Sequence, residues 1–282
     1  MKSMKKLLAL MMAAMMLFAL AACGSDNGGN DANTNDNNNS AADNNGGTEE
    51  KTKLIVGTSA DYAPYEFHTM DNGNDVIVGA DIDMINNIAE EMNVDIEIKD
   101  ISFDVLLNEL QNGTIDIVIA GMSADEDRLA QADASDIYYD AAYQRVVVRA
   151  EDADKYHSFE DFKGAKVGMQ AGTVQIGIAE EYMPDCDPLI LQAVPDIFNN
   201  LINGKCDAAL VDGPVGDGYI ASNDGLVAVE LDFGAQDGFS IWVKKGDPKN
   251  LLEGINAAIA KFSESGKYSE WLAAAQELAD AE

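Results

Sequence analysis

The chain has 282 residues, and its 50 Asp and Glu against 18 Lys and Arg give a formal charge of −32. A body this acidic excludes a general affinity for nucleic acid or for anionic lipid. With two histidines, three cysteines and no CxxC or Cys/His cluster, structural zinc and cysteine nucleophile chemistry have no support, and no metal or cofactor is expected.

Residues 1–22 begin with Lys2, Lys5 and Lys6 and continue as an uncharged apolar run, the pattern of a secretory signal peptide. The run closes on Leu20-Ala21-Ala22-Cys23-Gly24, which resembles the bacterial lipobox. That resemblance makes Cys23 the lipidated first residue of the mature chain, carrying acyl chains such as palmitate. Removing the three lysines takes the charge from −32 to −35. Residues 23–52 are Asn, Asp, Gly, Ser and Thr-rich, with too little apolar area to offset chain entropy, and are expected to be a disordered tether.

The remaining 230 or so residues alternate β-branched runs with amphipathic segments. A strand is predicted at 53–57, a helix at 79–92, a strand at 94–98, a helix at 103–112 and a strand at 115–120. The second half repeats the order with strands at 166–169, 189–193 and 208–211 and helices at 174–183 and 197–203. This is an α/β pattern with parallel-rich sheets flanked by helices. Gly113 and Gly204 each follow a helical stretch and precede a strand, where glycine suits the C-terminal cap. Extended segments at 143–149 and 227–243 are read as two strands crossing between lobes. One lobe is therefore expected at 53–141 with 236–282, the other at 142–235, with a helical tail from 248 to about 279. Ligands of open α/β sheets bind at the C-terminal ends of the strands, which here face a cleft between the lobes. Export permits a Cys186–Cys206 disulfide, and two free thiols are the alternative.

Six motifs in order carry a family resemblance: GTSADYAPYEF (57–67), GADIDMINNIAEEM (79–92), FDVLLNELQNGTIDIVIAGMSADEDR (103–128), ASDIYY (134–139), AGT (171–173) and GKCDAALVDGP (204–214). The chain resembles the extracellular solute-binding proteins of family 3, typified by lysine/arginine/ornithine-, histidine- and glutamine-binding receptors. The resemblance implies a two-lobe, type II periplasmic-binding-protein fold that captures a free amino acid for an ABC importer permease and its ATPase. It also implies a monomer that acts on the outer face of the membrane.

A zwitterionic amino acid needs donors for its carboxylate and an acceptor for its ammonium group, because either left buried and unpaired costs several kcal/mol. Ser123 with Glu126 three residues on has the form of a capping box, which puts Arg128 in the first turns of a helix. There the dipole disfavours a cation, so Arg128 should face an anion: a ligand, or Asp125 or Asp127 within the chain. The resemblance assigns it the ligand α-carboxylate, with Gly121, Met122 and Ser123 adding backbone and hydroxyl contacts. Thr173 and Val174 open the second-half helix, whose backbone N–H groups form an anion site, and the resemblance assigns them the other side of the same carboxylate. Asp212 matches the family's aspartate for the α-amino group, or is a turn former before Gly213-Pro214. Tyr62 and Phe103 match aromatic positions that sandwich the ligand side chain, and plain core packing is their alternative. Ser59 stands where an acidic residue often meets a basic ligand head, with Asp61 or Glu66 as substitutes, and Gln170 offers an amide to a polar tail. The resulting expectation is a receptor for a polar or basic amino acid, with arginine, lysine or histidine ahead of glutamine. A tethered sensor for a signalling partner shares the same pocket. A cyclohexadienyl or arogenate-type dehydratase on the same fold would need a general acid or base there, and the chain is not expected to be an enzyme.

Overall fold

The structure is a computed structural model that describes residues 51–281. The predicted signal peptide, Cys23 and nearly all of the tether lie outside the described residues.

The first sheet has the order β5-β1-β6-β13-β7, formed by β1 (Lys53–Thr58), β5 (Asp95–Asp100), β6 (Ile117–Val118), β7 (Ala132–Tyr139) and β13 (Phe239–Lys244). The second has the order β10-β9-β11-β8-β12, formed by β8 (Gln144–Arg149), β9 (Lys166–Gln170), β10 (Asp187–Leu191), β11 (Ala208–Asp212) and β12 (Leu226–Val229). In each sheet four strands run in one direction, and the fourth in spatial order, β13 or β8, runs against them. These two reversed strands are the ones that enter a sheet directly after the chain passes from the other lobe. The passages are residues 140–143 and 230–238. The extended segments read from the sequence as crossings are therefore mostly sheet members, because their alternating apolar residues pack inside the lobes they join.

Helices α1 (Ala80–Glu91), α2 (Leu106–Asn112), α3 (Glu126–Gln131), α7 (Leu252–Ser265) and α8 (Lys267–Ala279) belong to the first lobe. The second holds α4 (Gln175–Tyr182), α5 (Val194–Ile202) and α6 (Gly213–Ala221). Apolar spacing explains their faces: α5 buries Val194, Ile197, Phe198 and Leu201, one stripe of a 3.6-residue period. Leu54 and Val56 of β1 are buried in the core, each contributing about 1.5–3 kcal/mol. Gly113 and Gly204 adopt the predicted left-handed cap conformation, with φ of 77° and 67°.

A third, antiparallel sheet of β2 (Asp61–Tyr62), β3 (Glu66–Asp71) and β4 (Asn74–Val78) was not predicted. It lies between the first strand and the first helix, and it carries the Tyr62 loop. Gly79 closes it at φ +133°, where a Cβ would stand 2.1 Å from the Tyr65 carbonyl oxygen, so only glycine permits this turn into α1. Cys186 and Cys206 are free thiols, the second buried.

Candidate functional site

The C-terminal ends of β1, β6, β9 and β11 converge on the space between the lobes. There, Tyr62, Phe103, Gly121, Ser123, Arg128, Gln170, Thr173, Val174, Gln175 and Asp212 border one small pocket. Nine of these residues, all but Gln175, were singled out from the sequence in both halves of the chain, and the fold brings them together.

Arg128 is buried and has partners on every side. Its Nη1 donates to the Ser123 carbonyl at 2.9 Å and approaches the Ser123 hydroxyl at 3.4 Å. Its Nη2 donates across the cleft to the Gly172 carbonyl at 3.0 Å, and its Nε lies 3.3 Å from Asp125. The guanidinium sits 5.5 Å from the Phe103 ring centroid, in cation–π range. Burial lowers its pKa and the Asp125 charge opposes that shift. The Asp125 ion pair and the cleft-facing fork thus coexist. The predicted capping box does not form. Asp125 is the N-cap of α3, accepting from the Arg128 N–H at 2.8 Å, while Ser123 bridges to Phe239 and gives its carbonyl to the arginine.

Facing it from the second lobe is Asp212, the last residue of β11 and N-cap of α6. Tyr62 donates to one of its oxygens at 2.6 Å. Gln144 and Gln175 donate to the other at 2.9 and 3.2 Å. Burial dominates and pushes the carboxyl up to about 6, against those hydrogen bonds and the Arg128 charge. Burial also holds the Tyr62 phenol well above its usual range, so it stays a donor.

Gln144 and Gln175 were not singled out from the sequence. Gln144 opens β8 directly opposite Asp212 in the antiparallel register, a pairing over 68 residues that no local pattern announces. Gly172 adopts φ +78°, and a Cβ there would meet the Asp104 Cα at 2.8 Å, so the lobes approach to backbone contact.

Three residues proposed for the ligand do not border this cavity. Met122 lies in the neighbouring groove with Asp125, Asp127 and Gly177. Ser59 donates its hydroxyl to Asp61 at 3.1 Å. Asp61 turns away toward α5, since Asp61 and Tyr62 are successive strand residues whose side chains project to opposite sides. Glu66, the other substitute acid, is fully buried in the first lobe, where burial and then the nearby Asp81 charge raise its carboxyl well above the usual range. Both histidines, His68 and His157, are on the surface, making hydrogen bonds to Asp75 and to the Asp154 carbonyl respectively.

The sequence profile of the bacterial extracellular solute-binding proteins, family 3, matches residues 54–274. The chain belongs to this family. Among the relatives of this solute-binding protein is the arginine-binding extracellular protein ArtP of Bacillus subtilis. It is 32% identical over 220 residues, covering 77% of this chain and 83% of the relative. The amino acid ABC transporter substrate-binding protein AbpA of Streptococcus pneumoniae, solved with L-arginine, superimposes with a TM-score of 0.77 at 32% identity, covering 82% of this chain and 96% of that one. An ancestral amino acid-binding protein described as a precursor of cyclohexadienyl dehydratase superimposes with a TM-score of 0.70 at 31% identity, covering 78% and 95%. The two-lobe, type II fold is thus shared with amino-acid-binding proteins over nearly their whole length.

Proposed function

We propose that this solute-binding protein is the receptor of an ABC importer and closes its two lobes around a polar or basic L-amino acid, with arginine, lysine or histidine ahead of glutamine. One observation carries the reading: a buried guanidinium and a buried carboxylate, contributed by opposite lobes, border one pocket together with two aromatic rings. A zwitterion is the ligand that such a pair matches, since each of its charges meets an oriented opposite charge away from water.

In this reading Arg128, with Gly121, Ser123 and the backbone of Thr173 and Val174, takes the α-carboxylate. Asp212, oriented by Gln144, Gln175 and Tyr62, takes the α-ammonium. Tyr62 and Phe103 flank the side chain and Gln170 reads its polar tail. Ligand contacts available only in the closed arrangement shift the open–closed equilibrium, and the importer reads the closed state. Binding without turnover is supported by relatives and solved neighbours that are named as amino-acid-binding transport proteins. The chain is a monomer, exported by residues 1–22 and held at the outer face of the membrane by lipid on Cys23. The sequence pattern and the extracellular character of the family support this.

The test is a thermal-shift screen against the twenty amino acids with ornithine, citrulline and cystine. A ligand that binds only the folded state raises the melting temperature by mass action. A clear rise with one or two basic or polar amino acids is expected. No rise with any of them would overturn the reading.

A further inference from the structure

Asp61 sits beside the cavity-facing Tyr62, yet its carboxylate is engaged elsewhere. One oxygen accepts from the Val194 N–H at 2.9 Å, and Gln170 Nε2 approaches both oxygens, at 3.2 and 3.4 Å. Gln170 also donates to the Gln192 carbonyl at 2.9 Å, joining Asp61 to the turn that precedes α5. Helix α5 needs such a partner. Its N-cap is Ala193, which makes no side-chain cap, its second residue is Pro195, and the N–H of Val194 is one of the unpaired donors of the first turn. The missing cap comes from the other lobe, 133 residues away in sequence.

We infer that Asp61 is an inter-lobe latch: by capping α5 across the cleft it stabilises the closed arrangement and sets affinity for every ligand alike, without reading any ligand side chain. Two other cross-cleft bonds, from Tyr62 to Asp212 and from Arg128 to Gly172, use groups that a bound zwitterion would engage. The bond from Val194 to Asp61 uses none of them, so it persists whatever the cavity holds. When the lobes separate, the Val194 N–H and the carboxylate exchange this bond for water, at a net cost in free energy. A contact confined to one state scales apparent affinity through the population of that state. Strand alternation gives the sequence logic, because residue 62 faces the ligand and residue 61 faces the helix. The inference rests on the closing-receptor reading of the same site, and it reassigns Asp61 from ligand contact to positioning residue.

The experiment compares the full chain with Asp61→Ala and Asp61→Asn. Small-angle scattering without ligand reads lobe separation, and calorimetry with L-arginine, L-histidine and L-glutamine reads affinity. Loss of a helix cap across a closing interface is expected to weaken Asp61→Ala by about 5- to 30-fold. The factor should be the same for each amino acid that binds. The variant should also show a larger ligand-free radius of gyration, while Asp61→Asn, which keeps one acceptor oxygen, lies between. A loss confined to the cationic ligands would overturn the latch and return Asp61 to the side-chain pocket. Unchanged affinity with unchanged scattering would also overturn it. If the unaltered protein binds none of the three, the amino-acid reading fails, and the ligand-free scattering comparison still decides the latch. If Asp61→Ala does not fold, the same comparison is made with Asp61→Asn.

Discussion

The Asp212 carboxyl, raised to about 6 by burial, titrates where a receptor works, and this gives binding a definite sign. The ammonium of the ligand needs the carboxylate, so affinity should hold above pH 7 and fall as pH drops through 6, approaching about tenfold per unit well below it. Calorimetry at pH 7.5, 6 and 5 checks this, and an unchanged dissociation constant across that range would contradict it. For the ligand-free protein the sign reverses. A carboxyl raised from 3.8 to about 6 in the folded state contributes stability that is present below pH 3.8 and lost as pH rises through 6. Of the site's side chains, Arg128, Asp212, Tyr62 and Phe103 were legible in the sequence because ordered motifs carry them. Gln144 and Gln175 were not, since their roles follow from strand register and from the packing of two lobes. Asp61 was legible as a residue of the site but misread in direction, which strand alternation next to Tyr62 corrects.

At the scale of elements, helices and buried strands emerged from their periods, as in the apolar stripe of α5. The small sheet of β2, β3 and β4 did not, because its residues are mixed in polarity and two of its strands are short. Its turn signal was nonetheless written in the chain: Asn72 and Gly73, at φ +50° and +83°, form the two-residue connection that joins β3 to β4. The junction from this sheet into α1 depends on Gly79. Gly79→Ala forces a Cβ against a backbone carbonyl that cannot step aside. It should therefore destabilise the protein by at least about 2 kcal/mol. Urea unfolding measures this, and an unchanged midpoint would refute the account of the turn. Asp81, the second residue of that helix, accepts from the Gly121 N–H, Tyr138 and Tyr268. The same junction therefore also holds the loop that leads to Arg128.

Over the whole molecule, two sheets of matching topology each end their parallel strands at one cleft, and chemistry from both is needed to complete the site. Alternating strand and helix made the two-lobe arrangement legible. The exact crossings were not, because the reversed strands that follow them have the composition of ordinary sheet members. Among the described residues that border the cavity, the buried Arg128 supplies the positive charge for an anionic group. That arginine is the centre of the account. The most direct measurement is calorimetric titration of the unaltered protein and of Arg128→Ala with L-arginine, L-histidine and L-glutamine. The account predicts that the unaltered protein binds at least one of them and that the folded variant binds none. Retained affinity in Arg128→Ala, or no binding by the unaltered protein, would contradict it.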